Sequence, residues 1–108
     1  MKKELITHFY NLAKNKLFSL NRSLTGNDTL KSLQILRNEI PQIKIKKFKC
    51  GKKVYDWKVP SEWNVKDAFV KDYTGKKIID FKLNNLHLVS YSQPINKFFS
   101  KKELFKKL

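Results

Sequence analysis

The chain has 108 residues, a length that suits one small domain. Aromatic residues make up 13% of it, a share that disfavours intrinsic disorder. The formal net charge of +15 comes from 24 Lys and Arg against 9 Asp and Glu, and only Arg22 and Arg37 are arginines. Because the guanidinium fork, and not the lysine point charge, reads phosphates and bases bidentately, this charge does not by itself predict a nucleic-acid binder.

The apolar spacing of residues 3–18 predicts an amphipathic helix. Residues 21–26, NRSLTG, predict a loop, after which Asn27 or Asp28 is expected to cap a second helix that Pro41 ends. The expected apolar stripe of the first helix is Leu5, Phe9, Leu12, Ala13 and Leu17; that of the second, over residues 28–40, is Leu30, Leu33, Leu36 and Ile40.

The apolar period then changes from 3.6 to 2, which is typical of strands. Ile43 and Ile45 alternate with lysines and predict a strand with one buried face, followed by a turn at residues 50–53. Two further strands are predicted over residues 55–59 and 63–69. Their inward faces are Tyr55, Trp57 and Val59 in the first, and Trp63, Val65, Asp67 and Phe69 in the second.

The C-terminal third predicts one hairpin, one strand and one short helix. Residues 73–75 form the hairpin turn into residues 77–81, and a loop at Asn84 and Asn85 precedes a strand through residues 86–90. Ser100 and Glu103 have the spacing of a capping box that opens a helix, whose apolar residues are Leu104, Phe105 and Leu108. The sequence stops barely two turns into this helix, so we expect a piece of a longer protein.

The sequence predicts no catalytic, cofactor-binding or metal-binding residue. His8, His87 and Cys50 lack the spacing of a zinc site. No serine, Ser23 included, lies in a nucleophile elbow, and the three glycines lie too far apart for a phosphate loop. Cys50 is interpreted as an ordinary turn thiol, His8 as a packing or surface residue and His87 as facing outward from a strand.

Residues 54–70, VYDWKVPSEWNVKDAFV, concentrate aromatic and acidic side chains in an otherwise basic chain. The aromatic residues could stack nucleic-acid bases, but a carboxylate, Glu62, lies between Trp57 and Trp63, where phosphate would avoid it. A role in a core or at a domain junction is therefore favoured. Asp67 is interpreted as a buried hydrogen-bond anchor for loop backbone rather than as half of an acid–base pair.

Several blocks together resemble a family of bacterial aminopeptidase-like proteins of unknown function. The blocks are LFSLNRSLTGNDTL at residues 17–30, the 54–70 block above, IIDF at 78–81 and NLHLVSYSQPI at 85–95, in the same order as in the family. Members have a zinc-exopeptidase-like core with an inserted β-rich domain, often lie near polysaccharide-biosynthesis genes and are commonly much longer than this chain.

The resemblance implies an α+β fragment. Residues 1–50 are expected to supply two N-terminal helices and a strand of the α/β zinc-exopeptidase-like domain. Residues 51–108 are expected to supply an incomplete inserted β-rich domain with a short C-terminal helix. The metal ligands of such a core are expected downstream of Leu108, so zinc is implied for full-length relatives and not for this chain, which on this view has no activity alone.

Partners and location follow from the same interpretation. The expected partner is the remainder of the peptidase-like domain; a peptide-like substrate is implied for the full-length protein, and the isolated chain is expected to self-associate. A lone cysteine fits the reducing cytoplasm, and no signal peptide or run of ~18 apolar residues is present, so no membrane partner is expected. A small basic nucleic-acid or polyanion-binding domain is the alternative.

Overall fold

The computed structural model describes residues 1–22 and 25–107. It combines helices with two small antiparallel sheets, which confirms the α+β class. The helices are α1 (Lys2–Leu12, continued by a π-helical turn at Ala13–Leu17), α2 (Asn27–Glu39), a 3-10 turn (Asn85–His87) and α3 (Lys101–Phe105). The strands are β1 (Lys53–Val54), β2 (Trp57–Lys58), β3 (Phe69–Lys71) and β4 (Lys77–Asp80).

Both N-terminal helices lie where the apolar period places them. Leu12 and Leu17 of the first stripe are buried, while Leu5 is 57% exposed. Leu33 of α2 and Ile40, which directly follows α2, remain exposed, so this stripe has no full cover among the described residues. Helix α2 ends at Glu39, because Pro41 restricts Ile40 to a non-helical conformation.

Polar contacts join the two helices at both ends. His8 Nε2 lies 2.7 Å from Glu39 Oε2, which makes His8 a surface residue paired across the helices. The backbone N–H of Asn21 donates to Asp28 Oδ2 at 2.9 Å. The predicted cap was wrong: neither Asn27 nor Asp28 caps α2, and the N-cap position is Gly26.

The predicted strand over residues 55–59 was also wrong. The chain instead turns at Tyr55 and Asp56, so that β1 and β2 form a tight hairpin with Val54 opposite Trp57. Tyr55 reaches a φ of 53° to make this turn, a conformation uncommon outside glycine. Trp57 is consequently 53% exposed and Tyr55 91% exposed, so neither lies on a buried strand face as predicted.

The hairpin of β3 and β4 confirms the prediction for residues 73–81. Its turn includes Gly75 at a φ of 87° and is closed by Asp72, whose Oδ1 accepts from the backbone N–H groups of Thr74 and Lys76. The Thr74 hydroxyl donates to the same oxygen at 2.6 Å, and this bond most strongly lowers the pKa of Asp72. The turn chemistry is local, which explains why the sequence predicts it well.

Three other predicted strands are not formed. Residues 43–49 carry no regular structure, residues 61–68 run irregularly until β3 begins, and residues 85–87 make a 3-10 turn in place of a strand. Strands need a paired neighbour, and an alternating pattern does not supply one. The 3-10 turn arises because the Asn84 side chain accepts from the backbone N–H of Leu86 and caps it. His87 is exposed, but on this turn.

The capping box of α3 is confirmed. The Ser100 hydroxyl accepts from the Glu103 backbone N–H at 3.3 Å, and Glu103 Oε2 accepts from the Ser100 N–H at 2.9 Å. Leu104 is half-buried and Phe105 is 67% exposed. Leu108, predicted as the last apolar residue of this helix, and Ser23 lie outside the described residues.

The chain exposes far more surface than a self-contained domain of its size. Its accessible surface is 10009 Å², and its Cα radius of gyration is 18.5 Å. Folded monomers of this mass expose about 6,300 Å², with a radius of gyration of about 13 Å. Among the described residues the buried apolar side chains are Leu12 and Leu17 alone. The apolar faces of this chain are therefore largely uncovered.

Candidate functional site

Three of the sequence blocks that carry the family resemblance meet around one side chain, Trp63. We call this cluster the Trp63 junction. It comprises Thr25, Gly26 and Asn27 at the start of α2, Ser61, Trp63 and Asn64 in the irregular segment before β3, and Tyr91 and Ser92 after the 3-10 turn. The junction ties the helical N-terminal half to the β-containing half.

Trp63 bonds in both directions along the chain. Its backbone N–H donates to the Thr25 carbonyl at 3.3 Å, and its indole Nε1–H donates to the Ser92 carbonyl at 3.1 Å. The Thr25 hydroxyl adds a longer bond of 3.4 Å to the Ser61 carbonyl. Trp63 is half-buried, and because an indole N–H removed from water normally finds such a polar partner, the geometry is that of a structural anchor.

Asn64 supplies the cap that the local sequence of α2 lacks. Its Oδ1 accepts from the backbone N–H of Asn27, the first residue of the helix, at 2.7 Å. A free N–H at a helix start needs an acceptor, and here that acceptor comes from 37 positions further along the chain. The start of α2 is thus fixed by the β-containing half of the protein.

Gly26 is required where the two segments approach each other. A Cβ built on it would lie 2.7 Å from the Trp63 carbonyl oxygen and 3.1 Å from Asn64 Oδ1. Its φ of 156° and ψ of 176° also belong to a region that is essentially restricted to glycine. A side chain at this position would therefore force the backbones of α2 and the Trp63 segment apart.

Tyr91 completes the junction by stacking on Trp63. The ring centroids are 5.8 Å apart at an interplanar angle of 26°. Tyr91 adopts a φ of 64°, a conformation that bulky residues rarely take. Such a backbone persists only where surrounding contacts fix it, and the stacked indole is the contact the structure provides.

A second tie lies at the other end of the helical half. The Asn85 side-chain amide donates to the carbonyls of Phe18 at 3.1 Å and Leu20 at 3.5 Å. Both carbonyls follow the π-helical turn, and the Leu20 carbonyl also accepts from the Arg22 backbone N–H at 3.1 Å. The block at 85–95 thus contacts the block at 17–30 directly, as Trp63 does.

An open groove of about 590 Å³ runs along the junction and is lined by residues 60–64 and 91–94. Glu62 is the carboxylate in its lining, and the structure sets no second carboxylate or histidine among the lining residues. An acid–base pair needs two such groups facing one cleft. Among these lining residues, Glu62 therefore has no second carboxylate or histidine to pair with.

Three carboxylates outside the groove, Asp67, Asp80 and Glu103, accept hydrogen bonds from nearby residues. Asp67 is exposed; its Oδ1 accepts from the Ala68 N–H at 2.9 Å and its Oδ2 lies 3.4 Å from Lys82 Nζ. The bond to backbone agrees with the predicted anchor, whereas the predicted burial of Asp67 was wrong. The pKa of Asp80 is lowered, chiefly by the Lys82 backbone N–H, and that of Glu103 chiefly by the Ser100 hydroxyl. Each of these shifts favours an ionised carboxylate, which suits a structural acceptor.

The zinc that the family implies was tested against the residues present. No group of three or more His, Cys, Asp or Glu side chains that could hold a metal ion occurs among the described residues. Cys50 is an exposed free thiol beside the Gly51 turn, and His8 pairs with Glu39. The donor set of this part of the chain does not fit a zinc ion, so no zinc-dependent step is derived for it.

Within the described ranges, no helix is long and apolar enough to cross a membrane.

Residues 62–108 match a family model described as Domain of unknown function (DUF2172). A Clostridium acetobutylicum protein named "Putative polysaccharide biosynthesis protein with aminopeptidase-like domain" is 50% identical over 95 residues, which cover 88% of this chain and 21% of that protein. The family resemblance is confirmed. A crystal structure of a "putative peptidase" from the same organism matches with a TM-score of 0.88 and 48% identity, over 95% of this chain and 24% of that one.

The chain thus spans about a fifth to a quarter of the length of the relatives it matches. The aminopeptidase-like resemblance was inferred from blocks that include residues 17–30, 54–70 and 85–95, and those are the blocks that meet at the Trp63 junction. The sequence does not predict Asn64, Gly26, Tyr91 and Asn85 as the residues that join these blocks. The occurrence of all three blocks in one chain indicated the family, but their spacing along the chain gave no sign of which residues touch.

Proposed function

We propose that this chain serves as the N-terminal part of an aminopeptidase-like protein. On this proposal, residues 1–50 belong to the peptidase-like α/β domain and residues 51–108 to a β-rich domain inserted in it. The observation that carries the proposal is the match to a solved peptidase-related structure over 95% of this chain and only 24% of that structure.

The uncovered surface of the chain supports the same proposal. It exceeds the surface of a folded monomer of this mass by about 3,700 Å², and it includes Leu5, Ile6, Leu33 and Ile40 of the two helices. A soluble monomer rarely exposes contiguous apolar patches beyond a few hundred Å². Burial against the remaining part of an aminopeptidase-like polypeptide would remove these faces from water.

The role of the chain in that protein is structural. The Trp63 junction would hold the inserted domain to the first helices of the core, through the Trp63–Thr25 and Asn27–Asn64 hydrogen bonds. Zinc and the residues that bind it would come from outside this chain, as would the contacts to a peptide-like substrate. We place the protein in the cytoplasm, where an exposed thiol such as Cys50 stays reduced.

A chimera tests the proposal. In the aminopeptidase-like relative from C. acetobutylicum, the segment that aligns with this chain is replaced by this chain, and thermal unfolding and bound zinc are measured beside the unmodified relative. We expect one cooperative transition and the zinc content of the parent, because the junction contacts and apolar faces find their native cover. A chimera that aggregates or melts without cooperativity, beside a normally folded parent, would contradict the proposal.

A further inference from the structure

Within residues 43–48, IKIKKF, the first four show the burial of a strand without its pairing, and Lys47 and Phe48 are exposed. Ile43 and Ile45 are half-buried, while Lys44 and Lys46 between and after them are exposed. This two-residue alternation is what a pleated strand with one covered face produces. The same residues have no regular structure in this chain. The alternating burial of a strand is therefore present, but no neighbouring strand among the described residues pairs with it.

The backbone of this segment is open to pairing. The Ile43 N–H donates to the Ile40 carbonyl at 3.0 Å, but from Lys44 to Phe48 no backbone group bonds to a described residue. Immediately afterwards pairing begins: the Gly51 N–H donates to the Val59 carbonyl at 2.9 Å. Unpaired backbone beside a paired hairpin is a template for a further strand.

A second copy of this chain is a poor partner for the segment. An antiparallel pair centred on Ile45 sets Lys44 opposite Lys46, and a parallel pair in register sets every lysine opposite its own copy. Like charges directly opposite each other destabilise a sheet. The segment therefore disfavours self-pairing and selects a different strand.

The charge of the segment indicates the chemistry of that strand. Six of the ten residues at positions 44–53 are lysines, and no carboxylate occurs between Glu39 and Asp56. A partner with acidic side chains on its exposed face would neutralise these lysines, and apolar side chains on its other face would continue the layer of Ile43 and Ile45.

We propose that residues 43–48 form a β-strand by pairing with an acidic-faced strand in the part of the aminopeptidase-like polypeptide that lies outside this chain. The inference rests on the proposed function. It adds a specific docking element, since the chain would join the rest of the protein by backbone hydrogen bonds at this segment as well as by apolar contact.

Hydrogen exchange of the chimera tests this pairing. We expect the amides of residues 44–48 to exchange at least about 100-fold more slowly in the chimera than in the isolated chain. Before these amides can exchange, the paired strand must open, and that opening costs a substantial part of the free energy of global unfolding. Protection at alternate amides would mark pairing on one side, and uniform protection would mark pairing on both. Either pattern supports the proposal.

A charge-reversed variant tests the acidic partner. Lys44→Glu combined with Lys46→Glu should lower the protection of residues 44–48 by about tenfold, since it sets like charges opposite each other. The matched control is Lys14→Glu with Lys16→Glu, which changes the net charge equally on the first helical segment. Equal effects of the two variants on this segment would overturn the acidic-partner assignment.

The outcomes separate the two proposals. A cooperatively folded chimera whose residues 44–48 exchange like a free peptide would overturn the strand and leave the proposed function standing. A chimera that does not fold contradicts the proposed function, and the strand proposal with it. Protection that rises with concentration in the isolated chain would assign the strand to a second copy and overturn the stated partner.

Discussion

Replacing Gly26 by alanine tests the close approach on which the Trp63 junction depends. The new Cβ would lie 2.7 Å from the Trp63 carbonyl oxygen, which belongs to the backbone and cannot rotate away. Holding alanine in this region of φ and ψ costs about 1–3 kcal/mol, and relieving an overpacked contact costs a further ~1–3 kcal/mol. We expect Gly26→Ala to destabilise the junction by about 2–6 kcal/mol in total.

The assay is hydrogen exchange of the amides that cross the junction in the chimera. The Trp63 N–H, which donates to Thr25, and the Asn27 N–H, which donates to Asn64, report the opening of the contact directly. A loss of 2 kcal/mol or more corresponds to exchange that is at least about 30-fold faster. Amides of the β3–β4 hairpin, which does not touch Gly26, give the internal reference.

Gly51→Ala is the matched control. Gly51 also has a positive φ, of 78°, but a Cβ there would meet no atom within 4 Å. It should cost only the conformational term, about 1–2 kcal/mol, and leave the junction amides protected. If Gly51→Ala accelerates exchange at Trp63 and Asn27 as much as Gly26→Ala does, the close approach of these segments does not hold them together, and the reasoning fails.

Three further predictions concern the indole of Trp63, the carboxylate of Asp72 and zinc binding. Trp63→Phe removes the indole hydrogen bond to Ser92 and should lower the free energy of unfolding of the chimera, measured in urea, by about 1–2 kcal/mol. Trp57→Phe, at a half-exposed site, should change that free energy by no more than about 0.5 kcal/mol. A larger loss for Trp57→Phe than for Trp63→Phe would contradict the anchor role of Trp63. Thr74→Val should raise the pKa of Asp72 towards its ordinary value, measured by NMR titration. Because the pKa of Asp72 is lowered in the folded state, the ionised carboxylate stabilises the fold at pH values above its ordinary pKa. This stabilisation disappears as the pH falls through the folded-state pKa. An unchanged pKa of Asp72 in the variant would refute the Thr74 hydrogen bond as the cause. Equilibrium dialysis of the isolated chain with zinc should show no stoichiometric binding at micromolar or tighter affinity, and one tightly bound equivalent would overturn the view that zinc ligands lie elsewhere.

The parts of the fold that sequence predicts are those with local causes. Helices α1 and α2 follow from apolar spacing and Pro41, and α3 from the reciprocal Ser100–Glu103 cap. The β3–β4 turn follows from Asp72 and Gly75, whose chemistry acts over four residues. In each case the stabilising groups lie within one turn of each other, so neighbouring residues in the sequence are enough to predict the element.

The parts that sequence misplaces depend on contacts between distant residues or on partners outside this chain. The cap of α2 comes from Asn64, which no local pattern around Asn27 predicts. Trp57 alternates like a buried strand residue, yet the Tyr55 turn leaves it half exposed because nothing in the described chain covers that hairpin. The predicted strand at Ile43 and Ile45 has alternating burial but no neighbouring strand among the described residues.

The site itself was predicted only in outline. Assigning the aromatic block to a core or junction agrees with the contacts of Trp63, whereas the contributions of Tyr91 and Asn85 required the fold. Each of these two residues lies dozens of positions from its partner along the chain. No periodic pattern in the sequence links such distant positions, so their contacts could not be predicted from it. The division of the chain at residue 50 into two domains stays a prediction.

On the proposed function, the rest of an aminopeptidase-like protein completes the surface of this chain. Segment-resolved hydrogen exchange of the isolated chain, with sedimentation to fix its oligomeric state, tests this completion. We predict self-association or weak protection of the two N-terminal helices, because the faces around Leu5 and Leu33 are uncovered. A monomer protected uniformly from residue 5 to residue 106 would contradict the claim and make the chain a self-sufficient domain.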